Sequence, residues 1–132
     1  MLSEIEFERY VSYENKLSDK AISYIKMVRE SEPSRRVGIH TKSNLCSWIF
    51  SEKIERTVSI ESRSAERAFF LLCEYDESVI EIWEQPEPVL IQKTYKNGSK
   101  RNSSYTPDFL ILTNEGPQVI EVKTSDEIEE KL

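Results

Sequence analysis

The chain predicts an α/β fold, a mixed β-sheet with helices packed against it. Three observations carry this expectation. Apolar residues recur at helical spacing over residues 3–31, a second helical stripe runs from Ser62 to Glu74, and four strand-like segments follow between Val79 and Lys123.

The first segment places Phe7, Tyr10 and Val11 on one helical face, then Ile22, Ile25 and Met27, with a break near Leu17-Ser18-Asp19. Glu32-Pro33-Ser34 ends it. Residues 34–58 combine an Arg-Arg-Val-Gly stretch, the apolar run Leu45–Phe50 and the alternating Ile54, Val58 and Ile60, and their periodicity selects no single element. From Ser62, a plausible N-cap, the residues Ala65, Ala68, Phe69, Leu72 and Tyr75 form an apolar helical stripe. Val79–Gln85 reads as a strand stopped by Pro86 and Pro88, and Val89–Tyr95 as another, closed by the hairpin signal Asn97-Gly98. Strands beginning at Tyr105 and Val119 follow, and Lys123-Thr124-Ser125-Asp126 supplies caps for a further helix. The expected organisation is a single domain over residues 1–132, helical to about residue 33, with the sheet-bearing core from about residue 34.

Composition narrows the class. With 132 residues, 38% apolar and 32% charged, the chain suits one soluble globular domain with a real core. No apolar run reaches membrane-spanning length and the N-terminus lacks a signal-peptide pattern, so a cytoplasmic protein is expected. Cys46 and Cys73 lie far apart and there is a single histidine, which argues against structural zinc and for reduced thiols. The net charge of −6 does not announce a nucleic-acid binder, yet the charge is uneven. Lys93, Lys96, Lys100 and Arg101 fall in a stretch without an acid, and Arg35, Arg36, His40 and Lys42 form a second basic segment. Lys93, Lys96, Lys100, Arg101, Arg35 and Arg36 are candidate DNA contacts, against the plainer reading of a solvated surface.

Most of the chemical information sits in Tyr105–Leu112 and Val119–Lys123. Asn114-Glu115-Gly116 between them reads as a tight hairpin turn, which would bring Asp108 and Glu121 to the same end of two paired strands. Strand alternation puts Glu121 and Lys123 on one face. Pro107 suits a strand start, where its missing N–H does no harm. Two carboxylates and an ammonium converging at one point suggest a divalent cation. Asp108 and Glu121 offer hard oxygens and the Val122 carbonyl a third ligand, while Lys123 can orient or deprotonate water and neutralise charge on a phosphate. Glu66, near the border of the buried helical face, is a third acid within reach of a neighbouring sheet, with Glu61 as its alternative. Gln85, at a strand end, is a neutral group able to hold water or phosphate. A solvated Glu-x-Lys strand face remains the simple alternative for Glu121 and Lys123.

Pro107-Asp108 with Glu121-Val122-Lys123 resembles the PD-(D/E)xK nuclease superfamily. The ordered set Arg35-Arg36-Val37-Gly38, Glu61-Ser62 to Phe70, Val79-Ile80 to Gln85-Pro86, Tyr105 to Phe109 and Ile120 to Lys123 is similar to the TnsA-like transposon endonucleases over about residues 34–125. The resemblance implies a restriction-endonuclease-like core. It implies Glu66, Asp108 and Lys123 as the catalytic set with Glu121 and Gln85 in support, Mg2+ as the cofactor with Mn2+ able to substitute, and double-stranded DNA as the substrate. It further implies 5′-end cleavage at transposon ends within a heteromeric transposase, beside a DDE-type transposase and an ATPase regulator. Family members commonly carry a further C-terminal helical domain, and this chain stops just after the nuclease core. The alternatives are a catalytically silent nuclease-fold binding module and a nuclease of another mobile-element or defence system.

Overall fold

The computed structural model describes residues 1–31, 46–61 and 65–123. The N-terminal part is helical as expected. α1 (Glu4–Glu8) starts at Ser3, whose hydroxyl accepts the Glu6 N–H while the Glu6 carboxylate accepts the Ser3 N–H, a reciprocal capping box. It runs on into a π-helical segment, Arg9–Glu14. After the break, α2 (Asp19–Glu30) is capped by the Ser18 hydroxyl, which accepts the Ala21 N–H. Phe7, Tyr10, Val11, Ile25 and Val28 are buried from these helices.

The stretch with mixed periodicity is a β-hairpin in its described part. β1 (Cys46–Ser51) and β2 (Arg56–Glu61) pair antiparallel, with Ile49 opposite Val58. α3 (Ala65–Tyr75) follows. Its buried face differs from the stripe expected from sequence. Phe70 and Cys73 are buried, whereas Leu72 is 70% and Tyr75 85% exposed. The inward line is therefore Glu66, Phe69, Phe70 and Cys73, fixed by the packing of Phe69 and Phe70 on Phe109 at ring separations of 5.2 and 6.4 Å. Ser62, the expected cap of this helix, and the helix start expected at Thr124–Asp126 lie outside the described residues, as does the expected boundary near residue 33.

The remaining strands are β3 (Val79–Glu84), β4 (Val89–Thr94), β5 (Lys100–Tyr105), β6 (Phe109–Thr113) and β7 (Gly116–Ile120). They form a three-stranded sheet in the order β3-β6-β7 and a separate β4–β5 ribbon. The fold is mixed α/β, consistent with a restriction-endonuclease-like core. Among the described residues every strand pairing is antiparallel, where the sequence led to a mixed sheet. The reason is local: each pairing between sequence neighbours closes through a short turn, and an antiparallel pair alone permits that. β6 is the spine of the core. All five of its residues are buried, with β3 on one side and β7 on the other.

Alternation assigns the two faces of the sheet. Phe109 turns towards α3, so Leu110 and Leu112 turn to the opposite side together with their partners Trp83 and Glu81. That side is locked to the N-terminal helices by a buried polar knot. Glu81 is fully buried; it accepts from Arg29 Nε and Nη2 at 2.9 and 3.1 Å, from the Leu2 N–H at 2.9 Å and from Trp83 Nε1 at 2.9 Å. The Arg29 guanidinium also lies 4.2 Å from the Phe7 ring centroid. On the other side of the fold, Lys53 donates to the carbonyls of Cys73, at 2.7 Å, and of Asp76 and Val79, closing the C-terminal end of α3.

Tyr10 gives a further tie between helix and sheet. Its hydroxyl donates to the Thr113 carbonyl at 2.8 Å, and burial pushes the phenol up to about 12. The folded-state value lies above the unfolded one of roughly 10, so this contribution is complete below pH 10 and is lost as the pH climbs towards 12. Tyr10→Phe is expected to cost about 1 kcal/mol at neutral pH and to flatten the alkaline fall in stability. Melting temperatures of the two proteins between pH 8 and 12 check this, and parallel curves would contradict it.

Candidate active site

The hairpin expected around Asn114 forms. β6 and β7 are joined by the two residues Asn114 and Glu115, with Thr113 opposite Gly116. Gly116 sits at φ 122°, a conformation that L side chains rarely adopt. The register ends with Phe109 opposite Ile120, so Asp108 and Glu121 are the next residues of the two chains at the open end of the hairpin.

Both segments flanking this hairpin extend less far as strand than the sequence suggests. Tyr105 is the last residue of β5 instead of the start of a new strand, and β6 begins at Phe109. Pro107, which offers no N–H to a ladder, stands buried in the connection. β7 stops at Ile120, so Glu121, Val122 and Lys123 leave the sheet at its end. Backbone bonds hold the junction: Asp108 N–H donates to the Ile120 carbonyl at 3.1 Å and Gln85 N–H donates to the Asp108 carbonyl at 2.8 Å. The Asp108 carboxylate itself accepts the Val122 N–H at 2.8 Å. The group of Val122 that reaches Asp108 is its amide, which leaves its carbonyl out of this bond.

Lys123 Nζ lies 4.0 Å from Glu121 Oε1, although both residues stand beyond the strand on which alternation would bring them together. Both are substantially exposed. The other Glu121 oxygen accepts the Tyr105 hydroxyl. That bond raises the Tyr105 phenol to about 12, helped by the charges of Glu121 and Asp108. Tyr105 was not singled out from sequence. Its signal was its place three residues before Asp108, at the end of a strand that the apolar pattern did not reveal.

Gln85 adjoins Asp108 through the backbone bond above. It adopts φ 42°, and its side-chain oxygen is buried with no hydrogen-bond partner among the described residues. Glu84, one residue earlier, is 1% exposed and faces Phe109 across β3 and β6, a buried carboxylate that sequence reading passed over. Glu66 lies in the first turn of α3, half-buried, on the helical line of Phe69 and Phe70. Its helix therefore abuts the start of β6, next to Asp108. Of the basic candidates, Lys93, Lys96, Lys100 and Arg101 are all exposed on the β4–β5 ribbon, with Lys93 directly opposite Arg101. Arg35 and Arg36 lie outside the described residues, and of Glu61 only the backbone is described.

The residues suit a hard divalent cation by their chemistry: carboxylate oxygens at the hairpin mouth and an amide oxygen lacking a donor beside them. Among the described residues no three His, Cys, Asp or Glu side chains already stand as a metal-holding group. Asp108 and Glu121 are brought to one place, while Glu66 is brought near through its helix.

No curated protein matches the chain. No helix among the described residues is long and apolar enough to cross a membrane. The family model for the TnsA-like endonuclease N terminal matches residues 76–132, a stretch that holds β3 to β7 and the whole Asp108–Lys123 cluster, with Glu66 and the N-terminal helices before it. Residues 76–132 are thus similar to the TnsA-like endonuclease N-terminal domain.

Proposed function

We propose that this chain is a magnesium-dependent endodeoxyribonuclease subunit of the PD-(D/E)xK type that hydrolyses phosphodiester bonds in double-stranded DNA. Its proposed setting is 5′-end cleavage at transposon ends, in company with a DDE-type transposase and an ATPase regulator. The observation that supports the chemistry best is the hairpin mouth, where the Asp108 carboxylate accepts the Val122 N–H between Glu121 and Lys123, and Lys123 Nζ lies 4.0 Å from Glu121 Oε1.

In this reading Glu66, Asp108, Glu121 and the Val122 carbonyl would hold the cation, Mg2+ or in its place Mn2+. When bound, the ion polarises a phosphoryl oxygen and lowers the pKa of water. The chain's own residues do the rest. Asp108, fastened to the Val122 N–H, fixes the spacing of the two strands at the mouth. Lys123 offsets charge that develops on the phosphate. Gln85 keeps a buried acceptor without a donor, joined to Asp108 through its backbone N–H.

The ribbon supplies the expected DNA contact. Lys93 and Arg101 are like charges directly opposite each other, a pairing that weakens a two-stranded ribbon unless an anion lies across it. Residues 89–107 contain no acid. Lys96→Glu with Lys100→Glu is expected to weaken DNA binding at least tenfold and to reduce the slope of log K against log salt by about 2, one phosphate contact each. Filter binding across a salt series reads both, and an unchanged slope would remove the ribbon from the interface.

The overall reading is tested by supercoiled-plasmid nicking in Mg2+, in Ca2+ and in chelator, with melting curves over the same conditions. Slow nicking in Mg2+ alone, together with a concentration-dependent rise in melting temperature in both ions, is the expected result. The −6 net charge keeps the isolated protein a poor DNA binder at physiological salt, so partners are expected to accelerate it. Metal-independent cleavage, or no thermal response to either ion, would reject the proposal.

A further inference from the structure

We infer that Tyr105 is a positioning residue of this site: its hydroxyl holds the Glu121 carboxylate in the orientation from which that carboxylate takes a divalent cation. The inference rests on the nuclease reading above and extends it to a residue outside the acid–lysine set.

Glu121 leaves the end of β7 with 40% of its side chain exposed. A carboxylate so placed has several rotamers open to it, and ordering it on arrival of a ligand costs conformational entropy. Two neighbours restrict it. The Tyr105 hydroxyl donates to Oε2, and the Lys123 ammonium stands 4.0 Å from Oε1. The lysine is long and partly exposed, and its contact with Glu121 is a charge contact at 4.0 Å. The phenol is rigid beyond its two side-chain torsions and is anchored at its base, because Tyr105 pairs with Val89 at the end of the β4–β5 ribbon. The more definite of the two restraints is therefore the tyrosine. A carboxylate fixed in this way by a neighbouring donor is the usual arrangement around bound metals, where losing the donor weakens metal affinity roughly 10–100-fold.

The geometry also separates this role from simple packing. The ribbon makes no ladder with β3-β6-β7 among the described residues. If Tyr105 served only to pin the ribbon down, its hydroxyl would affect stability and leave the cation response alone.

The experiment compares wild type, Tyr105→Phe, Glu121→Gln and Asp108→Asn by calorimetric titration with Mg2+ and with Mn2+, by melting with and without these ions, and by plasmid nicking over a range of Mg2+ concentrations. Tyr105→Phe keeps the ring and is expected to fold. It should bind the cation about tenfold more weakly, and should need correspondingly more Mg2+ for half-maximal nicking while its rate at saturating Mg2+ stays close to wild type. If Asp108→Asn loses both cation binding and nicking while Tyr105→Phe binds Mg2+ as wild type does, the nuclease reading stands and the role of Tyr105 is refuted. A lower melting temperature for Tyr105→Phe with an unchanged cation affinity refutes it equally. If Asp108→Asn binds and nicks as wild type does, the nuclease reading fails and this inference falls with it.

Discussion

Asp108→Asn is expected to slow DNA cleavage at least a hundredfold and to leave the melting temperature within about 2 °C of wild type. The amide keeps an oxygen that can accept the Val122 N–H, so the mouth of the β6–β7 hairpin stays closed, while the negative charge that would attract a cation is gone. Asp108→Ala should be as inactive and should melt below the Asn variant, because the Val122 amide then loses its acceptor at a cost of roughly 1–2 kcal/mol. From sequence alone the alanine variant is expected to gain stability, through relief of repulsion between neighbouring carboxylates. The hydrogen bond to Val122 opposes that gain. Lys123→Ala should abolish cutting with little thermal penalty, since its side chain is a third exposed and its contact with Glu121 is long. Circular dichroism melts alongside plasmid nicking read both quantities, and either Asp108 variant cutting at the wild-type rate would remove the residue from the site.

The largest effect on stability belongs to Arg29, far in sequence from any catalytic candidate. Arg29→Ala is expected to cost about 3–5 kcal/mol, because it strands the fully buried Glu81 carboxylate. In a chain of this size that lowers the melting temperature by roughly 10–20 °C. The arginine also donates to the Leu2 carbonyl at 2.8 Å and lies over Phe7, so the start of α1 should loosen first. Replacing both partners, as Arg29→Met with Glu81→Met, removes the stranded charge and should recover much of the loss. Chemical denaturation of the two single variants and the double variant forms the test. A double variant as unstable as the sum of the singles would mean that the ion pair is not the source of the effect.

The legible parts of the fold were those written in short, local signals. Asn114-Glu115-Gly116 between two apolar runs set the turn, and the turn set the register that brings Asp108 and Glu121 to the same end of the hairpin. The break expected near Leu17-Ser18-Asp19 falls where α2 begins, at Asp19. Less legible were elements whose identity depends on distant partners. β5 reads Lys-Arg-Asn-Ser-Ser-Tyr, with nothing apolar to alternate, and is a strand because β4 lies beside it. β1 exposes Trp48 and Phe50 at 62% and 61%, so its outward face is as apolar as its inward one and periodicity could not choose. The same ambiguity misled the reading of α3, where Leu72 and Tyr75 fit an apolar stripe as well as Phe70 and Cys73 do. Only contact with Phe109 decides which side faces in. At the site, the charged residues were legible from their spacing. The hydroxyl of Tyr105 was not, because its significance lies in which atom faces it.

One further consequence lies in the outer margin of the sheet. Among the described residues β7 pairs with β6 alone, so its other side offers backbone groups to any extended chain that drifts past. Pro117 lies opposite Leu112 and has no N–H to give. The row of donors that a recruited strand would read is therefore broken one residue into β7, and a register that skips the gap gains too few bonds to persist. A nuclease must leave its cutting end open to a polymer of unpredictable sequence. On the nuclease reading, Pro117 removes one donor from the flank of the sheet beside that end, which disfavours self-pairing there.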